Sequence, residues 1–523
     1  MDKAAEYLKS IRLPSRFEQE HIFPAVSIAA VLLYSSYQLL HQNKKSVTDG
    51  LIKEIPTPGS HYPYVGHLLS LGELPGAQVS KWHKELGPII QLRMGQQRWI
   101  MVDDPHLAHK IFVGRGADAS HRPHITYAMD YYGLGGHGIV FSQPGMSFKK
   151  NRAAALSVLA PKQMDNFLDN IKKESADFVH RLIEATEKEG NINPLKFLEL
   201  NTMNVIFQAC FGRRFDSVDD PEFSKLAHMV ETSMKYAGLE EDLPSFLPIL
   251  SLFNYFSNKT SKWKNFINNE RNPIYIKLIE EALKKEEPNV VKSLDENGFP
   301  MSMEEKIVFM SDLIAAGTDT ISVTLSWNFV LMCHHPETQK RVVEEIDAFI
   351  QKHERTPSFA DRLELPFCVS VIKECMRYRP TSAFGLPHAA AEDIEVDGYF
   401  IPKGSTIISN MGSMHSNPDR YDDPDVFKPD RFMNNLKTMQ SSANGRIEER
   451  DQYNFGWGRR ICPGIYLAEV EIFAAFIQLF ARCYIEPSDQ GLPDLEGATN
   501  AGLTLLPLPY KLKFVKRANA LVK

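Results

Sequence analysis

Residues 455–464 read FGWGRRICPG and place Cys462 in a loop built from glycines and arginines. A cysteine stays a thiolate only where hydrogen-bond donors and positive charge lie close to its sulfur. The glycine-rich loop offers backbone N–H groups, and Gly458 and Gly464 permit the close approach and the turn. Phe455 is positioned to shield the sulfur from water. The pattern predicts a buried thiolate in this loop.

The apolar helical run LAEVEIFAAFIQLF, residues 467–480, follows this loop at once. Cys462 is therefore expected just before a helix N-terminus, where the helix dipole favours an anion. A thiolate that binds haem iron pushes electron density toward it and favours O–O cleavage. Arg460 is suited to pair with a haem propionate, because its guanidinium is planar and always charged.

The ten residues match the pattern F-x-x-G-x-R-x-C-x-G at every fixed position, and the chain thereby resembles the cytochrome P450 superfamily. The resemblance implies that Cys462 binds the iron of haem b, with Phe455, Gly458, Arg460 and Gly464 as further cofactor-binding residues. It implies a mainly α fold with small β-sheets, and haem lying between a long helix and the cysteine loop. The general character is similar to that of microsomal, filamentous-fungal members.

A second motif, AAGTDT at residues 315–320, lies inside an apolar helix predicted for about residues 304–334. A Ser or Thr in such a helix often only bonds back to the preceding turn. The segment resembles the oxygen-activation motif of the family, so we expect Gly317 to admit substrate and O2. Thr320 is expected to open the helix for a water, and Asp319 and Thr320 to relay protons as the catalytic pair. Ile321 departs from the Thr or Ser that is common there.

A third motif, ECMR at residues 374–377, places a carboxylate and a guanidinium on one helix face. The later FKPDRF, residues 427–432, resembles the second arginine segment of the family. The resemblance implies that Glu374, Arg377 and Arg431 form a buried structural ionic cluster beneath the haem.

Two further haem contacts rest on weaker resemblances. In FKKNR, Arg152 is expected to bind a propionate, whereas Phe148 replaces a tryptophan and lacks its N–H donor. His388 follows Pro387 at the position of a propionate-binding Arg or His, although a solvated histidine is the ordinary alternative.

The N-terminal region predicts a membrane anchor in front of the catalytic domain. Residues 22–40 are uncharged and long enough to span a bilayer, and Lys44 and Lys45 follow them. The positive-inside rule then places the rest of the chain in the cytosol. The resemblance to microsomal members implies that the membrane is that of the endoplasmic reticulum. We divide the chain into an N-terminal flank (1–21), the anchor (22–40), a proline-rich connector (41–70) and the haem-thiolate domain (71–523).

A second membrane contact is predicted at residues 243–256, LPSFLPILSLFNYF, an apolar and proline-broken stretch. Phe246, Leu247, Leu252 and Phe253 would enter the bilayer there; a packed core loop is the alternative. Elsewhere, β-prone runs predict a hairpin over residues 89–102, strands within 393–408 and a last hairpin over 503–514.

Composition excludes some functions and leaves others open. A formal net charge of -6 without a basic segment argues against nucleic-acid binding. Six widely separated cysteines do not predict disulfides or a zinc site, and all except Cys462 are expected to be small buried hydrophobes.

The resemblance implies a monooxygenase that hydroxylates an apolar small molecule with O2. The sequence carries no flavin or nicotinamide domain, so electrons from NADPH are expected through the partner NADPH–cytochrome P450 reductase. Aromatic and aliphatic residues fall in segments similar to substrate-contacting ones and predict an apolar pocket for a steroid- or lipid-like molecule, sterol demethylation being disfavoured. These residues are Tyr127, Tyr131, Tyr132, Phe384, Leu386 and Leu503.

Two other functions stay open from the sequence. An oxygen-independent haem-thiolate isomerase or dehydratase, or a haem-binding sensor, is disfavoured by the intact Asp319–Thr320 pair. A nicotinamide-dependent dehydrogenase would use GLGGHG, residues 133–138, which fits the dinucleotide pattern G-x-G-x-x-G. That pattern needs a strand before it and a helix after it, and neither flank fits.

Overall fold

The structure is a computed structural model that describes residues 53–163, 165–248 and 258–522. Its α-helices are α1 (Pro75–Leu86), α2 (Pro105–His109), α3 (Met146–Leu159), α4 (Asp165–Glu189), α5 (Leu195–Phe211), α6 (Pro221–Tyr236), α7 (Leu243–Phe246), α8 (Lys259–Asn265), α9 (Asn272–Lys284), α10 (Val290–Glu296), α11 (Met303–His334), α12 (Pro336–His353), α13 (Pro366–Tyr378), α14 (Met411–His415), α15 (Met439–Ala443) and α16 (Ile465–Arg482). Its strands are β1 (Ile89–Met94), β2 (Gln97–Val102), β3 (His388–Ala389), β4 (Ile394–Val396), β5 (Tyr399–Ile401), β6 (Thr406–Ser409), β7 (Cys483–Pro487), β8 (Ala498–Asn500), β9 (Leu505–Pro507) and β10 (Leu512–Lys516). The prediction of a mainly α fold with small sheets is confirmed.

The long helix α11 runs through the centre of the protein. Ser302 and Glu305 cap its first turn reciprocally, which satisfies backbone donors that the helix leaves unpaired. Most of its side chains are buried, and it packs along α5. The Thr202 hydroxyl on α5 donates to the carbonyl oxygen of Thr318 at 3.1 Å, which fixes how the two helices lie against each other.

A four-stranded sheet, in the order β1-β2-β6-β3, flanks the helices. Strands β1 and β2 form the predicted antiparallel hairpin, and β6 pairs with β2 in parallel. Gly95 has a positive φ of 59° in the hairpin turn, and a side chain there would collide with the backbone of Phe246. The turn therefore requires glycine.

The predicted hairpin over residues 503–514 is wrong. Strand β9 pairs with β8, whereas β10 pairs with β7. Pro507 and Pro509 explain the difference, because proline has no N–H to give to a ladder between the two halves of this segment. The Trp327 indole instead donates to the carbonyl oxygen of Leu505, which holds β9 against α11.

The predicted ionic cluster lies at the end of α13 and is confirmed. Both oxygens of Glu374 accept from Arg377, at 2.7 and 2.9 Å. Glu374 and Arg377 are buried, and Arg431 is mostly buried, with 9% of its side chain exposed. Nε of Arg431 lies 3.0 Å from Glu374 Oε2, an ion pair without hydrogen-bond geometry. Arg377 also donates to the carbonyl oxygen of His415. The cluster therefore fixes α13 and α14 to the segment that precedes the cysteine loop.

The predicted membrane contacts fall partly outside the described residues. Residues 22–40, Leu252 and Phe253 lie outside them. Phe246 and Leu247 are buried against the sheet, with the Phe246 ring 5.6 Å from Trp99, so the prediction that these two enter a bilayer is wrong. Within the described part of the chain, α11 is the one helix long and apolar enough to cross a membrane, and it is mostly buried in the core.

Candidate functional site

Cys462 lies two residues before the N-cap of α16, which is the last residue of its loop. The backbone N–H of Cys462 donates to the carbonyl oxygen of Phe455 at 2.9 Å, and Gly464 caps the helix. Gly458 has a positive φ of 52°, and a side chain there would collide with the carbonyl group of Phe112. The loop thus lies against a second backbone segment, and only glycine fits at that approach.

The surroundings of the Cys462 sulfur favour its anionic form only in part. Burial raises the pKa of the thiol, while the N–H of Gly464 and the charge of Arg152 oppose that rise. Nη2 of Arg152 donates to the carbonyl oxygen of Ile461 at 2.8 Å, which ties α3 to the loop. A bound cation would complete the stabilisation of a thiolate here.

The other cysteines of the chain are buried, as predicted. Among the described residues, no group of three His, Cys, Asp or Glu side chains is arranged to hold a metal ion. A single thiolate suits a metal whose remaining positions are filled by a macrocycle, as in haem.

Arg460 lies beside the loop and points toward three backbone carbonyl groups. It donates to Ser120, Ile139 and Ser142 at 2.9, 3.2 and 2.6 Å, and its guanidinium lies 3.9 Å from the centre of the Phe148 ring. Phe148 therefore supports Arg460 in place of binding an anion itself.

A third arginine near the cysteine loop, Arg122, lies beside Arg460 and was not predicted from the sequence. It donates to the carbonyl oxygens of Val140, Leu386 and Pro387. Burial and the charge of Arg460 lower its pKa to about 9. The local sequence around Arg122 is HRPH, residues 121–124, and this segment does not indicate which distant residues Arg122 contacts.

His388 is buried rather than solvated, and it completes the group. Burial, with Arg122 next in importance, lowers the pKa of His388 to about 3. Its Nδ1 lies 2.6 Å from the carbonyl oxygen of Ala119, which can only accept, so Nδ1 carries the proton. The neutral ring therefore offers only an acceptor at Nε2. His388 can hydrogen-bond a carboxyl group through Nε2 only if the proton of that bond comes from the carboxyl group.

This group of basic residues tests whether haem fits the chain. Among the described residues, none of Arg122, Arg152 and Arg460 forms an ion pair with a carboxylate. Arg122 is buried, and Arg152 and Arg460 are partly buried. Positive charge removed from water is costly without an anion. Two propionates beside the Cys462 loop would supply the missing charge, so the residues present fit haem.

On α11, Asp319 and Thr320 lie on neighbouring positions but make different contacts. Asp319 Oδ2 accepts from the Thr504 hydroxyl at 2.9 Å, and burial raises the pKa of Asp319 to about 6. The Thr320 hydroxyl donates to the carbonyl oxygen of Ala316 at 2.7 Å. The helix continues through Thr320, so the predicted opening there is not what the structure shows.

Gly317 also differs from its expected surroundings. A Cβ on it would lie 3.4 Å from Ile206 on α5, so its open side faces a neighbouring helix. Thr504 was missed as a partner of Asp319, and no local pattern marks it.

The loop of residues 133–138 has no dinucleotide geometry. A π-helical turn (Tyr127–Tyr132) precedes it, and bends follow it in place of a helix. The carboxylate of Asp312 accepts from the backbone N–H groups of Ile139 and Val140, and a side chain on Gly138 would meet that carboxylate at 2.6 Å. These N–H groups therefore bind an internal carboxylate, which leaves them unable to cradle a phosphate.

The aromatic and aliphatic residues expected around substrate lie in several packed regions. Tyr127 and Tyr132 are buried, and Tyr131 lies half-buried with its ring 5.7 Å from Trp263. The other three residues are partly buried, against the main core or against the sheet; they are Phe384, Leu386 and Leu503.

A family model and individual relatives both match this chain over most of its length. A family model described as "Cytochrome P450" matches residues 56–514. The steroid 17-alpha-hydroxylase/17,20 lyase of Felis catus is 29% identical over 490 residues, which cover 87% of this chain and 92% of that protein. Cytochrome P450 1A1 of Sparus aurata is 26% identical over 507 residues, covering 91% of this chain and 93% of that protein.

Two solved structures share the fold. A zebrafish cytochrome P450 with abiraterone superposes with a TM-score of 0.69 at 24% identity, covering 85% of this chain and 100% of that one. A zebrafish cytochrome P450 with progesterone gives a TM-score of 0.69 at 23% identity, covering 85% and 99% of the two chains.

Proposed function

The chain belongs to the cytochrome P450 family of monooxygenases, and we propose that it binds haem b through Cys462 and hydroxylates an apolar small molecule. The observation that carries this proposal is the arrangement around Cys462. One thiol lies just before α16, and Arg122, Arg152 and Arg460 lie nearby without carboxylate partners among the residues that the structure describes. A macrocycle that carries a metal and two carboxylate groups would satisfy both features, because the metal binds the thiol and the carboxylates pair with the arginines.

Haem, when bound, supplies an iron that activates O2 with the electron density of its thiolate ligand. The residues of the chain do the rest. Cys462 holds the ligand position, with the N–H of Gly464 donating toward its sulfur. Arg152, Arg460 and Arg122 would hold the propionates of the haem, while Phe455 and Gly458 shape the loop around the sulfur.

Proton delivery is assigned to Asp319 and Thr320. A carboxyl group whose pKa is about 6 both takes and gives a proton near neutral pH, which suits a relay. Thr504 orients this carboxyl group through its hydrogen bond. The Thr320 hydroxyl donates to the carbonyl oxygen of Ala316, and a rotation about its side chain would free it to donate to a bound water or oxygen.

Family members take their electrons from a reductase, and we assign NADPH–cytochrome P450 reductase as the partner. Residues 22–40 act as a single-pass anchor in the endoplasmic reticulum membrane, with the catalytic domain facing the cytosol. The charge pattern of the sequence supports this orientation. Liposome flotation of the full chain and of a variant lacking residues 1–45 tests the anchor. Equal membrane binding by both proteins contradicts it.

The substrate is assigned as a steroid- or lipid-like molecule. The similarity to a steroid 17-alpha-hydroxylase/17,20 lyase supports a steroid. An oxygen-independent isomerase is the second candidate. The intact pair of Asp319 and Thr320 disfavours it, because a reaction without O2 needs no such relay.

The decisive experiment compares Cys462→Ser with the control Cys333→Ser in the full chain. The control removes a buried cysteine at the far end of α11. We expect the control to keep the red-shifted absorption band of the reduced carbon monoxide complex, and Cys462→Ser to lose it. Retention of the band by Cys462→Ser would overturn the ligand assignment. Product formation that requires NADPH, reductase and O2 excludes the isomerase.

A further inference from the structure

The backbone of Ile139 and Val140 lies between a carboxylate and two guanidinium groups. On one side, Oδ2 of Asp312 on α11 accepts from the N–H of Ile139 at 2.6 Å and from the N–H of Val140 at 3.3 Å. On the other side, Arg460 donates to the carbonyl oxygen of Ile139 at 3.2 Å. Nε of Arg122 donates to the carbonyl oxygen of Val140 at 3.0 Å. Two residues of backbone therefore connect α11 to the arginines beside the cysteine loop.

One peptide group makes the most direct connection. The peptide bond between Ile139 and Val140 is trans, so its N–H and its carbonyl group point to opposite sides. The N–H donates to Asp312, and the carbonyl oxygen accepts from Arg460. Hydrogen bonds that share a peptide group polarise one another. The bond from Arg460 is therefore strengthened by a negative charge on Asp312.

The contact between this backbone and α11 is close. Gly138 has a positive φ of 87°, and a Cβ on it would lie 2.6 Å from the Asp312 carboxylate and 2.7 Å from the side chain of Val308. Asp312 itself is only 4% exposed. The carbonyl oxygen of Gly138 accepts from Asn151 on α3 at 3.0 Å. Only glycine fits at this approach, and the carboxylate of Asp312 meets the backbone there.

The charge of Asp312 depends on pH. Burial raises the pKa of Asp312 to about 6, while the two backbone N–H groups, the Tyr132 hydroxyl and the charge of Arg271 oppose that rise. The ionisable groups that face Asp312 within the described residues are Tyr132, Arg271 and Tyr275. Groups that lower a pKa bind the ionised form more tightly than the neutral acid. Protonation of Asp312 therefore weakens its bonds to the two N–H groups.

We propose that Asp312 is a positioning residue of the haem site. Its ionised carboxylate, acting through the peptide group of Ile139 and Val140, fixes Arg460 and Arg122 in the positions from which they would hold the haem propionates. The inference rests on the proposed function and goes beyond it, because Asp312 controls the retention of haem without touching it. Retention weakens as the pH falls through the range in which Asp312 takes up a proton.

Asp312→Asn tests the charge separately from the shape. The amide has the same size and keeps an acceptor oxygen for the two N–H groups, but it carries no charge at any pH. The measurement is the rate of haem transfer from the loaded full chain to an excess of apomyoglobin. At about pH 7.5 we expect the variant to lose haem about three- to tenfold faster than the wild-type protein, because hydrogen bonds to a charged group are about twice as strong as neutral ones. At about pH 5 the two rates should become equal, since the wild-type carboxyl group is then neutral.

Asp130→Asn is the matched control. It also removes one negative charge, from the neighbouring π-helical turn Tyr127–Tyr132, but Asp130 is half-exposed and pairs with the side chain of His124 at 3.1 Å. We expect this variant to transfer haem at the wild-type rate at both pH values. An effect equal to that of Asp312→Asn would mean that the total charge of the region, and not the bond to the loop, controls retention.

A double-mutant cycle tests whether Asp312 acts through Arg460. Arg460→Gln alone should accelerate haem transfer. Adding Asp312→Asn to it should cause much less than the change that Asp312→Asn causes in the wild-type protein, because the two residues share one peptide group. Effects of the two substitutions that multiply independently would exclude this path.

Hydrogen exchange gives a readout that needs no haem. The amides of Ile139 and Val140 donate to Asp312, so their protection at about pH 7.5 should fall by several-fold in Asp312→Asn and stay unchanged in Asp130→Asn. Unchanged protection, equal haem transfer by Asp312→Asn and the wild-type protein at the higher pH, or slower transfer by the variant each overturns the inference. A wild-type protein that binds no haem would overturn the proposed function instead, and hydrogen exchange would still show whether the charge of Asp312 holds this backbone.

Discussion

The guanidinium of Arg152 donates a 2.8 Å hydrogen bond to the carbonyl oxygen of Ile461, the residue that precedes Cys462. One side chain on α3 thereby supports the backbone of the cysteine loop and brings positive charge to its sulfur. The bond joins residues 309 positions apart, so it forms only when the helices are packed.

Arg152→Ala should therefore lower the haem bound per polypeptide by several-fold, because a propionate and the loop lose a shared donor. Lys149→Ala is the matched control, since Lys149 lies on the same helix and is exposed. The measurement is haem absorbance per mole of purified protein. Equal haem content in both variants would contradict the role of Arg152.

Thr320→Ala should leave haem content near normal while diverting reducing equivalents into peroxide, because the proton relay loses its hydroxyl group. Thr504→Val should give a smaller effect in the same direction, since it removes the hydrogen bond that orients Asp319. Peroxide released per NADPH consumed is the quantity to measure. A ratio equal to that of the wild-type protein would mean that Thr320 only satisfies its own helix.

Gly458→Ala should destabilise the protein by at least about 2 kcal/mol, since it combines a positive φ with a collision against Phe112. Gly464→Ala is the matched control in the same loop. Its Cβ would lie 3.9 Å from Leu159 and 4.0 Å from the Cys462 sulfur, which is ordinary contact distance. Thermal unfolding of the two variants compares them directly, and similar losses would refute the assigned difference.

Glu374→Gln should cost roughly 3–5 kcal/mol, because it leaves the buried Arg377 and the mostly buried Arg431 without their counter-charge. Glu344→Gln is the control. Its ion pair with Lys340 is exposed and long, at 3.9 Å, so removal should cost less than about 0.5 kcal/mol. Denaturant unfolding gives both values. A small loss for Glu374→Gln would show that the cluster contributes little.

His415 should make stability depend on pH. Burial, followed by the charges of Arg377 and Arg450, lowers its pKa to about 3, and its Nε2 accepts from the N–H of Tyr453. Between about pH 6 and pH 4 the unfolded chain binds a proton at this position and the folded chain does not. Stability therefore falls as the pH falls through this window, by about 1.4 kcal/mol per pH unit from this residue.

His415→Gln keeps an acceptor for Tyr453 but cannot be protonated, so the pH slope of the unfolding free energy should decrease by about that amount. Denaturant unfolding at a series of pH values measures the slope. A slope equal to that of the wild-type protein would mean that His415 is protonated in the folded state.

Local patterns in the sequence were sufficient for features whose interactions lie within a few residues. The cysteine loop, the helix α11, the hairpin of β1 and β2 and the pairing of Glu374 with Arg377 are all of this kind. Helical spacing, strand alternation and the conformational demands of glycine act over one turn or one strand, so the order of residues determines them. The family pattern around Cys462 also lies within ten consecutive residues, so the sequence alone was enough to predict a haem ligand there.

Only the packed structure decided which distant residues meet. Arg122 joins Arg152, Arg460 and His388 from a separate segment, and Thr504 reaches Asp319 across 185 residues. Phe246 has the same apolar character as a membrane-facing residue, yet it is buried against the sheet. Burial depends on which surfaces the whole chain brings together, and the pKa values of His388 and Asp319 depend on that burial. Hydrophobicity and charge belong to the residue, whereas partner and environment belong to the fold.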